Sequence, residues 1–205
     1  MPVVDPLPWP GWQGREIFVA EATVIIRHAM PEDKTVFCKG SASKNAGLIY
    51  PIFEPEPINQ EVLPALLART VEMRSRRWNK EHRLLGRWPE LWEDLIRAAY
   101  PQWTCGFACT EGWADLIAAT AGWIAELQPD ADWRVSDVKE KWGLLRISYH
   151  GDLSLQAEHI LGAAEDLSEH ICEVCGAPGS LRQGNWLTVL CSEHDADRSW
   201  REWVR

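Results

Sequence analysis

Apolar side chains recur at helical spacing in four stretches of this chain, alternate with polar ones in a fifth, and give way to proline and glycine between them. Trp92, Leu95, Ile96 and Ala99 form the first clear stripe, with Pro89 suited to a first helical turn and Pro101 ending the pattern. Trp113, Leu116, Ile117, Thr120, Trp123, Ile124 and Leu127 form the second, with Thr110 placed to cap it and Pro129 closing it. Ala157, Ile160, Leu161, Ala164 and Leu167 define a third helix over about Leu155 to His170. Between them, Trp133 to Val138 and Leu144 to Tyr149 read as two strands of a hairpin around Lys139 to Gly143.

Upstream the signal is weaker. Strand-like runs occupy Glu16 to Arg27, Thr35 to Cys38 and Leu48 to Phe53, and Pro51, Pro55, Pro57 and Pro64 then argue for an extended connector. A helix is expected from Glu61 or Pro64 through the arginine-rich run, with Leu63, Leu66, Leu67, Thr70 and Val71 on its apolar face. The expected fold class is α+β: helices packed on a small antiparallel sheet, followed by a zinc finger. The expected division is a β-rich segment over 1–60, a basic helical connector over 61–88, an α+β core over 89–170 and the finger over 171–205.

The finger rests on Cys172 and Cys175, then fifteen residues, then Cys191 and His194. Ligand pairs at this spacing each fold over one edge of a tetrahedral ion, so one Zn2+ is the expected cofactor. Gly176 follows the second cysteine, where a tight turn aims backbone N–H groups at the sulfurs. Turn residues at Pro178 and Gly179 and at Gln183 to Asn185 flank a short hairpin, and Asp195 to Val204 looks helical. Knuckle, hairpin and ligands on a helix start is the order of a treble clef. A fourth protein ligand closes the coordination shell, which makes the expected zinc structural; a catalytic ion would need His194 to be off the metal.

Composition narrows the class. The chain has 205 residues, 46% of them hydrophobic and 25% charged, with no run long enough to span a membrane and no basic start followed by an apolar run; the expected compartment is the cytoplasm. Six cysteines in that setting suit metal ligation better than disulfides. The net charge is −9, unevenly spread: residues 69–87 carry seven bases and two acids, whereas 88–170 carry five bases and fifteen acids. An acidic chain repels a phosphate backbone unless a basic patch is displayed, and only Arg69 to Arg87 and the terminal Arg198, Arg201 and Arg205 offer one.

Several blocks resemble those of a group of uncharacterised phage and prophage proteins. They are Trp103 to Gly106, Glu111 to Ile117, Lys139 to Arg146 and Glu165 to Gly179, together with the closing Cys191 and His194. The resemblance covers about residues 90–195, with Trp142 and Ala114 standing where the group has phenylalanine. It implies a phage or prophage origin and no established activity.

Other features admit plainer readings. Cys105 and Cys109 suit a core thiol and a helix-cap neighbour; a redox pair, a second metal site with His150 or His159, and a nucleophile paired with His150 are the alternatives. Asp130, Asp132, Asp137, Glu140, Asp152, Glu165, Asp166 and Glu169 read as a solvated face. Of the thirteen tryptophans, Trp92, Trp113 and Trp123 read as core, and Trp9, Trp12, Trp78, Trp200 and Trp203 as candidates for surfaces. No phosphate loop, nucleophile elbow or nuclease histidine pair is visible. The expected function is therefore non-enzymatic: a zinc-stabilised protein that acts on a host or defence protein by protein–protein contact. Nucleic-acid binding through residues 69–87 and the C-terminal helix, and a zinc-finger nuclease or hydrolase, are the alternatives.

Overall fold

The computed structural model describes residues 20–22, 24–25, 59–79, 84–129, 132–182 and 186–196. The strand-like runs at 35–38 and 48–53, Trp9, Trp12, Trp200, Trp203 and the C-terminal arginines lie outside the described residues. Among the described residues, five α-helices follow the N-terminal segment: α1 (Asn59–Ser75), α2 (Trp92–Ala99), α3 (Ala114–Leu127), α4 (Leu155–Ser168) and α5 (Ser192–Ala196). The strands are β1 (Trp78–Asn79), β2 (Leu84–Leu85), β3 (Phe107–Ala108), β4 (Trp133–Lys141), β5 (Leu144–Gly151), β6 (Ser180–Arg182) and β7 (Thr188–Leu190). The class is α+β. Among the described residues, no helix is long and apolar enough to cross a membrane.

The centre of the molecule is α3, which is buried on every side from Ala114 to Ala121. Such a helix cannot be amphipathic, and its four alanines in that span let neighbouring backbones approach closely. It packs against α1, α2 and α4, while α4 also covers β5. Leu63, Leu66 and Leu67 of α1 join Trp113, Ile117 and Leu167 in one core, so this helix is a body element rather than the expected connector. It also stops at Ser75, before the basic run ends, and Arg76 and Arg77 turn the chain into the β1–β2 ladder.

Two further expectations are corrected. Within Glu16 to Arg27, residues 20–22 and 24–25 are helical, not extended. Helical spacing puts Glu21 and Ile25 on one face, where Ile25 enters the core and Glu21 meets Arg74. The sheet is mixed rather than antiparallel. Phe107 and Ala108 pair in parallel with Val138 and Lys139, at the edge of the β4–β5 hairpin. A two-residue strand has too little alternation to stand out in a sequence.

The hairpin itself forms as expected, with a register irregularity between Val135 and Asp137. Lys141 pairs with Leu144, so Trp142 and Gly143 are a two-residue loop, and both have positive φ (61° and 78°), the type I′ signature. Glycine accepts that conformation freely. For a bulky side chain such as Trp142 it costs on the order of 1–3 kcal/mol.

On α2, Trp92 and Ile96 are buried but Leu95 and Ala99 face solvent, so only half of that stripe is core. On α4, all five expected positions are buried, and Ser154 caps the helix by accepting a hydrogen bond from Ala157 N. The solvated-face reading holds for Asp132 and Asp152 but not for Glu140 and Glu165. These two are half-buried: Glu140 accepts from Gly143 N within the hairpin's own turn, and Glu165 accepts from Ile147 N, tying the hairpin to α4.

Candidate metal centre

The chain leaves α4 through a turn at Glu169 and His170, and Ile171 bridges to Pro178. Between them the backbone closes a knuckle: Cys172 N donates to Ala177 O at 2.7 Å and Gly176 N to Cys172 O at 2.8 Å. Gly176 makes the turn possible by adopting φ of 75°. The β6–β7 hairpin then carries the chain back, with Glu173 N donating to Val189 O, and delivers Cys191 beside the knuckle. Cys191 immediately precedes α5, whose first turn is closed by Asp195 N donating to Cys191 O. His194 therefore sits on that turn, on the side of its neighbouring cysteine.

The structure brings together all four expected residues. One donor atom from each of Cys172, Cys175, Cys191 and His194 lies within 4.8 Å of every other. Cys175 Sγ is 3.8 Å from Cys191 Sγ, and His194 Nδ1 is 3.6 Å from Cys172 Sγ and 3.2 Å from Cys191 Sγ. Zinc–sulfur bonds of about 2.3 Å around a tetrahedron place sulfurs about 3.7 Å apart, a spacing these separations match. The cluster can hold a metal ion.

Its electrostatics suit a cation. The Cys172 thiol is pulled down to about 5, first by the hydrogen bond from Cys175 and then, against burial, by the backbone N–H groups of Cys191, Cys175 and Val174. Cys175 is pushed up by the same shared hydrogen bond, by burial and by the nearby sulfurs. One proton between two sulfurs leaves each half-satisfied; a divalent cation in its place satisfies both as thiolates.

The knuckle is fastened to the main core by groups that the sequence does not flag. Glu173 O accepts from Gly112 N at 2.9 Å and from the Thr110 hydroxyl, and Ile171 O accepts from Trp113 Nε1 at 2.9 Å. Thr110 thus bonds the knuckle instead of capping the helix, which begins with a 3-10 turn over Glu111–Trp113. Arg74 Nη1 donates to Cys175 O at 2.7 Å, the carbonyl of a candidate ligand. Arg74 in turn pairs with Glu21 at 3.0 Å and lies 4.0 Å from Asp115, whose carboxylate accepts from Arg77 Nε and Trp88 Nε1. Asp115 lies off the apolar stripe of α3, so its spacing reads as solvent-facing; only the burial of that helix on every side shows that its carboxylate needs partners.

At Gly112 the knuckle packs directly on the backbone of the body. A Cβ there would lie 2.2 Å from Glu173 O and 2.4 Å from Cys172 O. Gly112→Ala should therefore push the knuckle off the core and destabilise the fold by about 1–3 kcal/mol, read as a lower urea midpoint. An unchanged midpoint would contradict the contact.

No protein-family model, curated protein or solved structure matches this chain. Cys105 and Cys109 stand outside the candidate metal centre, half-buried and packed against the main core, and neither joins a metal-ligating cluster among the described residues. Burial pushes both thiols up, Cys109 to about 12 with help from Glu93, Glu173 and Cys105. Thiols held protonated at neutral pH are poor nucleophiles. Because the unfolded thiol ionises near 9.0, the Cys109 contribution is fully present below that pH and is lost as pH rises toward about 12. Urea midpoints should fall more steeply over that window in the native protein than in Cys109→Ala; parallel curves would contradict the assignment.

The basic stretch is largely spent on internal pairing. Arg69 meets Glu126, Arg74 meets Glu21, Arg76 meets Glu72, Arg77 meets Asp115 and Arg87 meets Glu111. Arg69 also lies over the Trp123 ring, 4.9 Å from its centroid, and Arg77 over Trp88 at 5.5 Å. Lys80 and Arg83 lie outside the described residues.

Proposed function

We propose that Cys172, Cys175, Cys191 and His194 bind one structural zinc ion in a treble-clef finger, and that the protein is a non-enzymatic binder acting by protein–protein contact. The observation that carries this reading is the donor set: three sulfurs and one nitrogen gathered within 4.8 Å of one another supply the four ligands a closed tetrahedral site takes, with no position over for a reactive water. The order of knuckle, hairpin and helix start supports the treble-clef form. Zinc supplies a cross-link here, holding α5 and the β6–β7 hairpin to the knuckle while Arg74, Gly112 and Trp113 hold the knuckle to the body.

A net charge of −9 and the internal pairing of five arginines in the basic stretch favour a basic protein surface over a phosphate backbone as the partner. The resemblance to phage and prophage proteins makes that partner a host or defence component. Zinc-loaded protein immobilised as bait should retain a specific protein from a host lysate at physiological salt. Retention of nucleic acid instead, or turnover of nucleic-acid or ester substrates that Cys175→Ser abolishes, would contradict the reading.

A further inference from the structure

The strained turn of the β4–β5 hairpin carries an exposed tryptophan where a type I′ loop favours asparagine or glycine. Trp142 is 63% exposed and stacks on Trp186, itself 59% exposed, with ring centroids 6.5 Å apart and planes inclined by 14°. Leu181, 47% exposed, abuts the same turn, since a Cβ on Gly143 would lie 2.6 Å from its Cδ1. Three large exposed apolar side chains thus meet where the zinc hairpin touches the body. Strain of this kind persists where surrounding contacts or a function hold it, and nothing in the hairpin fold requires an indole at that position.

Chemistry selects the occupant. Glu140 lies against the pair: its Oε2 accepts from Trp186 Nε1 at 3.1 Å and its Oε1 from Gly143 N at 2.6 Å. A carboxylate accepts about four hydrogen bonds, so positions remain for a guanidinium. A cation set beside two rings whose centroids are 6.5 Å apart can lie within about 6 Å of both, the range of cation–π attraction. Lys141, the nearest base in sequence, projects to the other face of the strand by the alternation of the pleat, and a phosphate would meet Glu140.

We propose that Trp142, Trp186 and Glu140 form a subsite for an arginine side chain presented by a protein partner. The inference rests on the protein-binding reading above and names the chemistry of its contact.

The test uses the full zinc-loaded chain labelled with 5-fluorotryptophan. It is titrated separately with a short arginine–glycine peptide, with the same peptide carrying glutamate for arginine, and with single-stranded oligothymidylate. The fluorine resonances of Trp142 and Trp186, identified by their absence in Trp142→Asn and Trp186→Phe, should move together with the arginine peptide alone. Trp142→Asn suits the turn and should melt no lower than the native protein, yet it should weaken the peptide by about tenfold or more. Glu140→Gln should weaken it by several-fold.

Resonances that stay fixed, that move with oligothymidylate, or that move elsewhere in the protein would overturn the proposal. A lysate partner retained equally by Trp142→Asn would remove the subsite and leave the protein-binding reading standing. Failure to retain any partner, with the peptide response intact, would remove that reading and leave the subsite.

Discussion

Cys175→Ser protein is expected to lose its metal and, with it, hydrogen-exchange protection over residues 186–196, while α1, α3 and α4 stay folded. The asymmetry follows from what each part is made of. The main core contains Trp103, Trp113, Leu66, Ile117 and Leu167 among its fully buried side chains and needs no metal to exclude water. The second cluster consists of Cys172, Leu190 and Cys191, two of them candidate ligands, with Val174, Cys175 and Ala177 at its edge. So small a cluster supplies little hydrophobic stabilisation; structural zinc contributes about 10–16 kcal/mol of apparent binding energy in finger peptides. Native mass spectrometry and exchange by mass spectrometry read both effects. Full zinc occupancy in the variant, or unchanged protection over β7 and α5, would contradict the ligand assignment.

The second large effect belongs to Asp115. Its side chain is 3% exposed and sits between Arg77 and Arg74, which are 16% and 8% exposed. Asp115→Asn removes the carboxylate that pairs with the largely buried Arg77, while Arg74 keeps Glu21, a loss of about 3–5 kcal/mol. For a chain of this size the melting temperature should fall on the order of 10 °C. Because Arg74 also holds the Cys175 carbonyl at 2.7 Å, the variant should release zinc to a chelator faster than the native protein does. Arg69→Ala is the control: it breaks an ion pair whose members are 38% and 60% exposed, worth about 0–1 kcal/mol. Equal losses from the two substitutions would refute the idea that burial sets the cost.

The parts that were legible in the sequence share a reason. Helices α3 and α4 and the β4–β5 hairpin are long enough for the 3.6-residue and 2-residue periods to repeat, and the spacing of Cys172, Cys175, Cys191 and His194 foretells that they cluster. What was not legible is either short or non-local. The two-residue strand β3 offers no period, and its parallel pairing with β4 joins residues about thirty positions apart. The helical turn around Ala20 to Ile25 was hidden because valine and isoleucine score as strand formers, while its stability comes from Ile25 entering the core and Glu21 reaching Arg74. In the same way, Arg74 looked like one of many surface bases. Only the fold shows it reaching across a hundred residues to the metal knuckle.

Trp142 and Trp186 illustrate a different limit. Both are aromatic residues in strand-rich sequence, and pattern alone would put such residues in a core. The turn geometry places Trp142 outside it, and 6.5 Å stacking follows from two hairpins meeting that are forty residues apart in sequence. Among the described residues, Trp92, Trp103, Trp113 and Trp133 fill the core, Trp78, Trp88 and Trp123 are half-buried, and this pair is exposed.

The central claim, a closed metal site of three thiolates and one histidine, is tested most directly by X-ray absorption at the zinc edge on the purified full-length protein. The account predicts about one zinc per chain with three sulfurs at about 2.3 Å and one nitrogen at about 2.0–2.1 Å. A shell containing a water oxygen in place of one of these donors, or a protein that binds no zinc in stoichiometric amount, would contradict it.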